Sequence, residues 1–210
     1  MAGRYSSTLR AEQAAQTRQR VLEAAAESFA ADGFARTTLA RLAKAAGVSV
    51  ETVQAQGSKR SLLTAAVHWR TFGPTEENRF LFAPGAREVV DAPTPAEFCR
   101  RGARMVAGFN ARTFRIWRAF ASAAADDPAI DAELTELSRF IQGQCRDLVG
   151  LLAPRGWLRA DLPVDELGDS LWVLVGSENY DKALVRLGWS HEQYEDWLSR
   201  SLADLLLPPG

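Results

Sequence analysis

The sequence predicts an all-α chain of about nine helices, divided into a small head and a larger body. Three observations lead there. Apolar residues recur three and four positions apart along nearly every segment. Alternating Val/Ile/Thr runs, the mark of half-buried strands, are missing. Helix-start signals, a hydroxyl or Asp followed by Pro, Glu or Gln, open several of the periodic stretches.

The first helix is expected from about Arg10 to Asp32, with Val21, Ala25 and Phe29 stacked along one face and Leu22 and Ala26 beside them. Asp32-Gly33 ends it, because glycine accepts the left-handed conformation of many helix stops. A short second helix follows Thr37, carrying Leu39, Leu42, Ala43 and Ala46. Gly47-Val48 turns the chain, Ser49 caps a third helix of about two turns, and Ser58 precedes a fourth with Leu62, Leu63, Ala66 and Val67. Residues 71–94 interrupt the pattern with Pro74, Pro84-Gly85 and Pro93, and hold only a short helix near Ala86–Val90. So long a break reads as a lid or connector between two parts. Thr94-Pro95-Ala96-Glu97 and Asp127-Pro128 then open two helices, the latter striped by Ile130, Leu134, Leu137, Ile141, Cys145, Leu148 and Leu152. Pro163 sits in the first turn of a helix over about 164–187, and Ser190-His191-Glu192-Gln193 is a capping box for the last helix, over about 191–207. The division expected is residues 1–63 and 64–210.

A chain of 210 residues, 47% hydrophobic and 24% charged, suits an ordinary globular protein with one large core and a satellite domain. Its net charge of −1 conceals an asymmetry. Residues 1–70 hold ten basic and five acidic side chains, a balance of +5, and the remaining 15 basic and 21 acidic leave −6. A basic head on an acidic body fits a protein that presents one end to a polyanion. Cys99 and Cys145 match no metal-ligand spacing and read as buried thiols. Residues Met1 to Gln16 are polar, unlike a signal peptide, and no stretch nears the ~20 apolar residues of a membrane span, so a cytoplasmic protein with no membrane partner is expected.

Residues 37–55 carry the chemistry. Two short helices joined through Ala46-Gly47-Val48 make a bihelical hook, with the first helix packed behind it. The second helix of such a hook can lie in the major groove of DNA with its first residues toward base edges. Ser49, Val50, Glu51, Thr52 and Gln54 head that helix. Thr37 or Thr38 at one helix start, and Ser58-Lys59 at another, can hold phosphates through hydroxyls, amides and charge. Arg36, Arg41 and Lys44 add basic side chains around them.

The run Arg20-Val21-Leu22-Glu23-Ala24-Ala25, Phe29 to Phe34, Thr37 to Ala43, Ala46-Gly47-Val48-Ser49, Thr52-Val53 and Ser58 to Leu63 resembles the N-terminal domain of TetR-family regulators in order and spacing. The acidic body, with Gly188-Trp189-Ser190 and the capped final helix, is similar to an actinobacterial-type branch of that family. The resemblance implies a homodimer on a palindromic operator of double-stranded DNA, released when a small-molecule effector fills the body. The chain departs from the family pattern at Gln54, where a tyrosine is usual, and at Gln56-Gly57, where His-Phe is common and the linker is one residue longer. Gln54 suits an adenine edge, and Glu51 repels phosphate unless it accepts from a cytosine amine.

Aromatic residues concentrate in the body. Phe109, Phe114, Trp117, Phe120, Cys145, Trp172 and Asn179 are candidates for lining an effector pocket. Plain helix-bundle core is the competing reading for each aromatic, and Asn110, Arg118 and Gln144 are further polar residues on apolar helices. By the resemblance, the last two helices form the dimer interface, with Leu171, Val175, Trp197 and Leu202 as candidates, burial within one chain being the alternative. Catalysis has no visible basis. His68 and His191 lack a paired nucleophile or ligand motif, there is no phosphate-cradling glycine loop, and neither cofactor nor metal is expected. A same-fold small-molecule-binding protein with weakened or lost DNA binding, and an enzyme with its pocket in the body, stand as alternatives.

Overall fold

The computed structural model describes residues 2–73 and 85–209, with side chains from residue 11 onward. The described residues are helical with no strand, as the periodicity predicts. The helices are α1 (Ala2–Arg36), α2 (Leu39–Ala46), α3 (Val50–Gln56), α4 (Lys59–Phe72), α5 (Ala86–Val90), α6 (Pro95–Ala124), α7 (Pro128–Leu152), α8 (Val164–Val175), the five-residue α9 (Ser177–Asp181) and α10 (His191–Leu206). A 3₁₀ turn at Ala153–Arg155 follows α7, and a π turn at Lys182–Arg186 follows α9. The lid or connector expected over 71–94 falls largely on residues 74–84, outside the described residues. The short helix near Ala86–Val90 is present as α5.

The chain forms two compact units. The first comprises residues 1–73 and 115–133, the second residues 74–114 and 134–210, so the chain changes unit within α6 and again within α7. In the first unit α1 packs on α2, α3 and α4. Val21, Ala25 and Phe29 of α1, Leu42 of α2, Val53 of α3 and Leu62, Leu63, Ala66 and Val67 of α4 are all fully buried. Gly33 adopts φ 76° and kinks α1, which resumes for one turn to Arg36 rather than ending at Asp32. Three contacts fasten α4 within this unit. Arg60 pairs with Asp127 at 2.8 Å, the Thr64 hydroxyl donates to Glu133, and Trp117 Nε1 donates to Thr71 Oγ1 at 3.2 Å. Asp127 also caps α7, its Oδ1 accepting from the Ala129 amide at 3.0 Å.

The second unit has its own core, including Phe98, Cys99, Ala103, Ala107, Leu148, Val149, Leu152, Leu167, Leu171, Tyr194, Leu198, Leu202 and Leu206. α7 and α8 meet closely because Gly168 has no side chain: a Cβ there would stand 2.7 Å from Arg146 Cα and Cγ. At the same contact Arg146 forms a two-pronged pair with Asp169, at 2.6 and 2.7 Å, and Gln142 donates to that carboxylate at 2.8 Å. The guanidinium holds Asp169 below the usual carboxylate range.

The helix expected over 164–187 is broken. Gly176 has φ −56°, ψ 142°, which ends α8 and leaves its last carbonyls without helical partners. Side-chain amides take them up. Asn179 Nδ2 donates to Val173 O at 2.8 Å and Leu174 O at 3.0 Å, and Asn110 Nδ2 donates to Val175 O at 3.0 Å. Asn110 is 1% exposed and also donates to the Tyr194 hydroxyl, at 3.3 Å. The capping box at Ser190 and Gln193 is formed as the sequence predicts. Pro163 stands just before α8 as its cap residue, one position earlier than the first turn.

Two glycines in adjacent helices should respond oppositely to a methyl group. Gly168→Ala forces backbone apart at the α7–α8 contact and should cost about 1–3 kcal/mol. Gly143→Ala, on α7 with nothing within 4 Å of the added Cβ, should stabilise by about 0.5–1 kcal/mol. Urea unfolding of the two variants checks this, and equal midpoints would contradict the close-approach account.

Candidate nucleic-acid interface

The hook is built by three caps and one turn. Thr38 caps α2, its hydroxyl accepting from the Arg41 amide at 3.3 Å. Gly47 ends α2 at φ 64°, ψ 39°, and its N–H returns to the Ala43 and Lys44 carbonyls. The Val48 amide also donates to Ala43 O, at 3.0 Å, which fixes the turn. Ser49 caps α3 through the Thr52 amide at 3.2 Å, and Ser58 caps α4 through the Ser61 amide at 3.2 Å.

Val53 is fully buried and anchors α3, which sets the faces of the other side chains. Ser49, Glu51 and Gln54 are exposed, and Val50 and Thr52 are half-buried. Arg36, Thr38, Arg41, Lys44 and Ser58 are exposed around this rod. The Glu51 carboxylate is held below its usual range by hydrogen bonds from its own amide and from Ser49. Arg41 pairs with Asp32 at 2.7 Å, and Arg36 donates to the Asp32 carbonyl at 3.0 Å, so both rest against the end of α1. Lys59 is half-buried, its ammonium 4.3 Å from the centre of the Phe34 ring.

Thr37 does not serve as a phosphate ligand. It is fully buried, and its hydroxyl approaches the Gly33 and Ser28 carbonyls at 2.8 and 3.3 Å, so the side chain is spent joining α1 to α2. Of the two threonines left open by the sequence, Thr38 alone presents itself to solvent.

The two-residue link between α3 and α4 works because of Gly57. It adopts φ 140°, and a Cβ there would lie 2.4 Å from Ser61 Oγ. Arg18 on α1 reaches Gln56 Oε1 at 3.4 Å across the end of α3. The missing aromatic is visible in the sequence, whereas the glycine conformation at this turn is visible only in the structure.

The candidate effector-site residues fall in different places. Trp117 and Phe120 lie in the first unit, 6.2 Å apart between ring centres. Phe109, Phe114, Cys145, Trp172 and Asn179 belong to the second. Phe114 packs on Tyr180 at 5.3 Å, and Tyr180 on Tyr194 at 4.9 Å, edge to face. Phe120 is fully buried. Both donors of Asn179 are spent on α8 carbonyls, and those of Asn110 on Val175 and Tyr194. Burial pushes the Cys99 thiol up to about 11; burial, with Asp169 adding to it, pushes Cys145 up to about 12. Neither is in a disulfide, and no cluster of metal-ligating residues occurs among the described residues.

Of the candidate dimer residues, Leu171 and Leu202 are 4% and 3% exposed and face the chain's own core. They are therefore not surface for a partner. Val175 and Trp197 are half-buried. Trp197 lines an open groove with Val173, Leu174 and Leu205, and Val173 is 65% exposed. A helical stripe shows that a face is apolar but not whether its own chain covers it, which is why Val173 escaped the sequence reading.

A short bihelical hook with a buried anchor, hydroxyl caps and an exposed polar rod defines a helix-turn-helix head. Residues 21–66 match the family described as bacterial regulatory proteins, tetR family. Solved structures share the fold over nearly the whole chain. A chain from Rhodococcus assigned to the TetR-family transcriptional regulators is 16% identical, with a TM-score of 0.74 over 91% of this chain and 99% of that one. NalD, the secondary repressor of the MexAB-OprM multidrug efflux pump in Pseudomonas aeruginosa, is 19% identical, with a TM-score of 0.64 over 92% and 98%. A chain from Saccharomonospora viridis assigned as a transcriptional regulator, in complex with choline, is 16% identical, with a TM-score of 0.70 over 93% and 100%. A search of curated proteins gives no match. The chain carries the N-terminal domain of the TetR family and, along its length, the fold of TetR-family transcriptional regulators. No helix of the described residues is long and apolar enough to cross a membrane.

Gly57→Ala should cost about 1–3 kcal/mol, from the clash with Ser61 and the disfavoured backbone together. The double variant Gly57→Ala, Ser61→Ala removes the clash alone and should recover only part of the loss in thermal unfolding. Full recovery would show that the backbone conformation carries no strain.

Proposed function

We propose that this protein is a ligand-responsive transcriptional repressor that binds a palindromic operator as a homodimer. The observation that carries the reading is the exposure of Ser49, Glu51 and Gln54 on a rod anchored by buried Val53. Thr38, Lys44, Ser58 and the amides at the start of α4 are the phosphate-facing groups, and they fix the register of α3 in the major groove. Residues 1–63 are the DNA-binding domain in this reading, and residues 64–210 bind the effector and dimerise.

The dimer face is the groove of α8 and α10, where Val173 and Trp197 offer apolar surface to an identical copy. Two recognition helices then stand about one DNA turn (~34–36 Å) apart. An effector releases the operator by binding more tightly to a different spacing. The choline-bound neighbour supports a small organic effector without specifying one for this chain.

A gel shift with DNA from upstream of the gene tests the reading. Retardation should weaken steeply with salt, since phosphate contacts release counterions. Lys44→Ala should weaken binding to all sequences and lower the salt slope by about one, whereas Gln54→Ala should alter sequence preference. Uniform losses from both would reject this division of roles. Absent binding at low salt, with effector binding retained, would favour a same-fold ligand-binding protein instead.

Val173→Arg places charge in the groove and should convert the dimer to monomer by light scattering, with operator affinity falling in step. A variant that stays dimeric would move the interface elsewhere.

A further inference from the structure

Glu51 is the one acidic side chain on the exposed rod, where a polyanion would be expected to exclude it. Three local observations bear on its role. It is the second residue of α3 and is exposed, so it lies toward the end of the helix that meets base edges. No ion pair engages it among the described residues. Gln54, three residues on, is exposed with it, and residues three apart share a helix face.

An ionised carboxylate only accepts hydrogen bonds. In the major groove, guanine offers O6 and N7 and thymine offers O4, all acceptors that repel it. Adenine offers an amine beside the acceptor N7, a pair that suits an amide side chain and penalises a carboxylate. Cytosine N4 is a donor with no acceptor beside it on the same base, and it matches a carboxylate. Three residues of α-helix rise about 4.5 Å, close to one base-pair step of about 3.4 Å.

We infer that Glu51 is a specificity-determining residue that selects a C·G pair in each half-site, next to the base pair read by Gln54. The inference rests on the proposed DNA-binding function and adds to it the identity of one base. Glu51 acts as much by refusing as by binding: a carboxylate opposite guanine or thymine leaves like partners facing each other in a dry groove. The same charge lowers affinity for random duplex, which widens the gap between operator and bulk DNA.

Selection from random duplex with the full chain, repeated with Glu51→Gln and Glu51→Ala, tests this. Wild type should enrich a cytosine at one fixed position per half-site, and replacing it should weaken binding about tenfold or more. Glu51→Ala should lose that preference alone, keep the preference lost in Gln54→Ala, and bind random duplex at least as tightly as wild type. Glu51→Gln should shift the same position toward adenine. If wild type selects an operator and both Glu51 variants select the same one, the inference fails while DNA binding stands. A uniform loss of binding in Glu51→Ala would also overturn it, marking a folding role. If wild type enriches nothing and shows no salt-dependent retardation, the DNA-binding function fails with it.

Discussion

The candidate interface depends on the fixed angle between two helices of eight and seven residues, neither of which would persist alone in water. Their geometry is held from behind. The amides of Gly47 and Val48 close the turn on carbonyls of α2, the buried hydroxyl of Thr37 ties the start of α2 to the end of α1, and Val53 plugs α3 into the core. With Val53 inside, helical geometry turns Glu51 and Gln54 outside, while Ser49 is open because it caps the end of the rod.

The parts legible in the sequence were those written in local chemistry. The caps at Ser49, Ser58 and Ser190 act on amides three residues away, so a short window contains both donor and acceptor. The break at Gly176 was not legible. One of the groups that compensates it, Asn110, comes from α6, 65 residues earlier, and a continuous apolar stripe on either side of the break looks like one helix. Leu171 and Leu202 were misplaced for a related reason: periodicity identifies an apolar face, and only the tertiary arrangement shows which chain covers it. At Gly57 the missing aromatic was plain, but the need for φ 140° emerges only once α4 is seen to start two residues later.

Asn110 and Asn179 illustrate how the second unit tolerates an interrupted helix in its interior. A buried carbonyl without a donor costs about 1–3 kcal/mol; the bonds to the Leu174 and Val175 carbonyls are part-buried, and that to the Val173 carbonyl is exposed. Two asparagine amides supply donors to all three, and Asn110 uses the same nitrogen to hold Tyr194. Residues that look, along the sequence, like ligand-orienting polar groups are therefore engaged in keeping the backbone satisfied.

The surroundings of the two thiols set their reactivity. Reaction with peroxide or an electrophile proceeds through the thiolate. With Cys99 raised to about 11 and Cys145 to about 12, the deprotonated fraction near neutral pH is vanishingly small. Neither sulfur is thus primed for attack by an oxidant or electrophile.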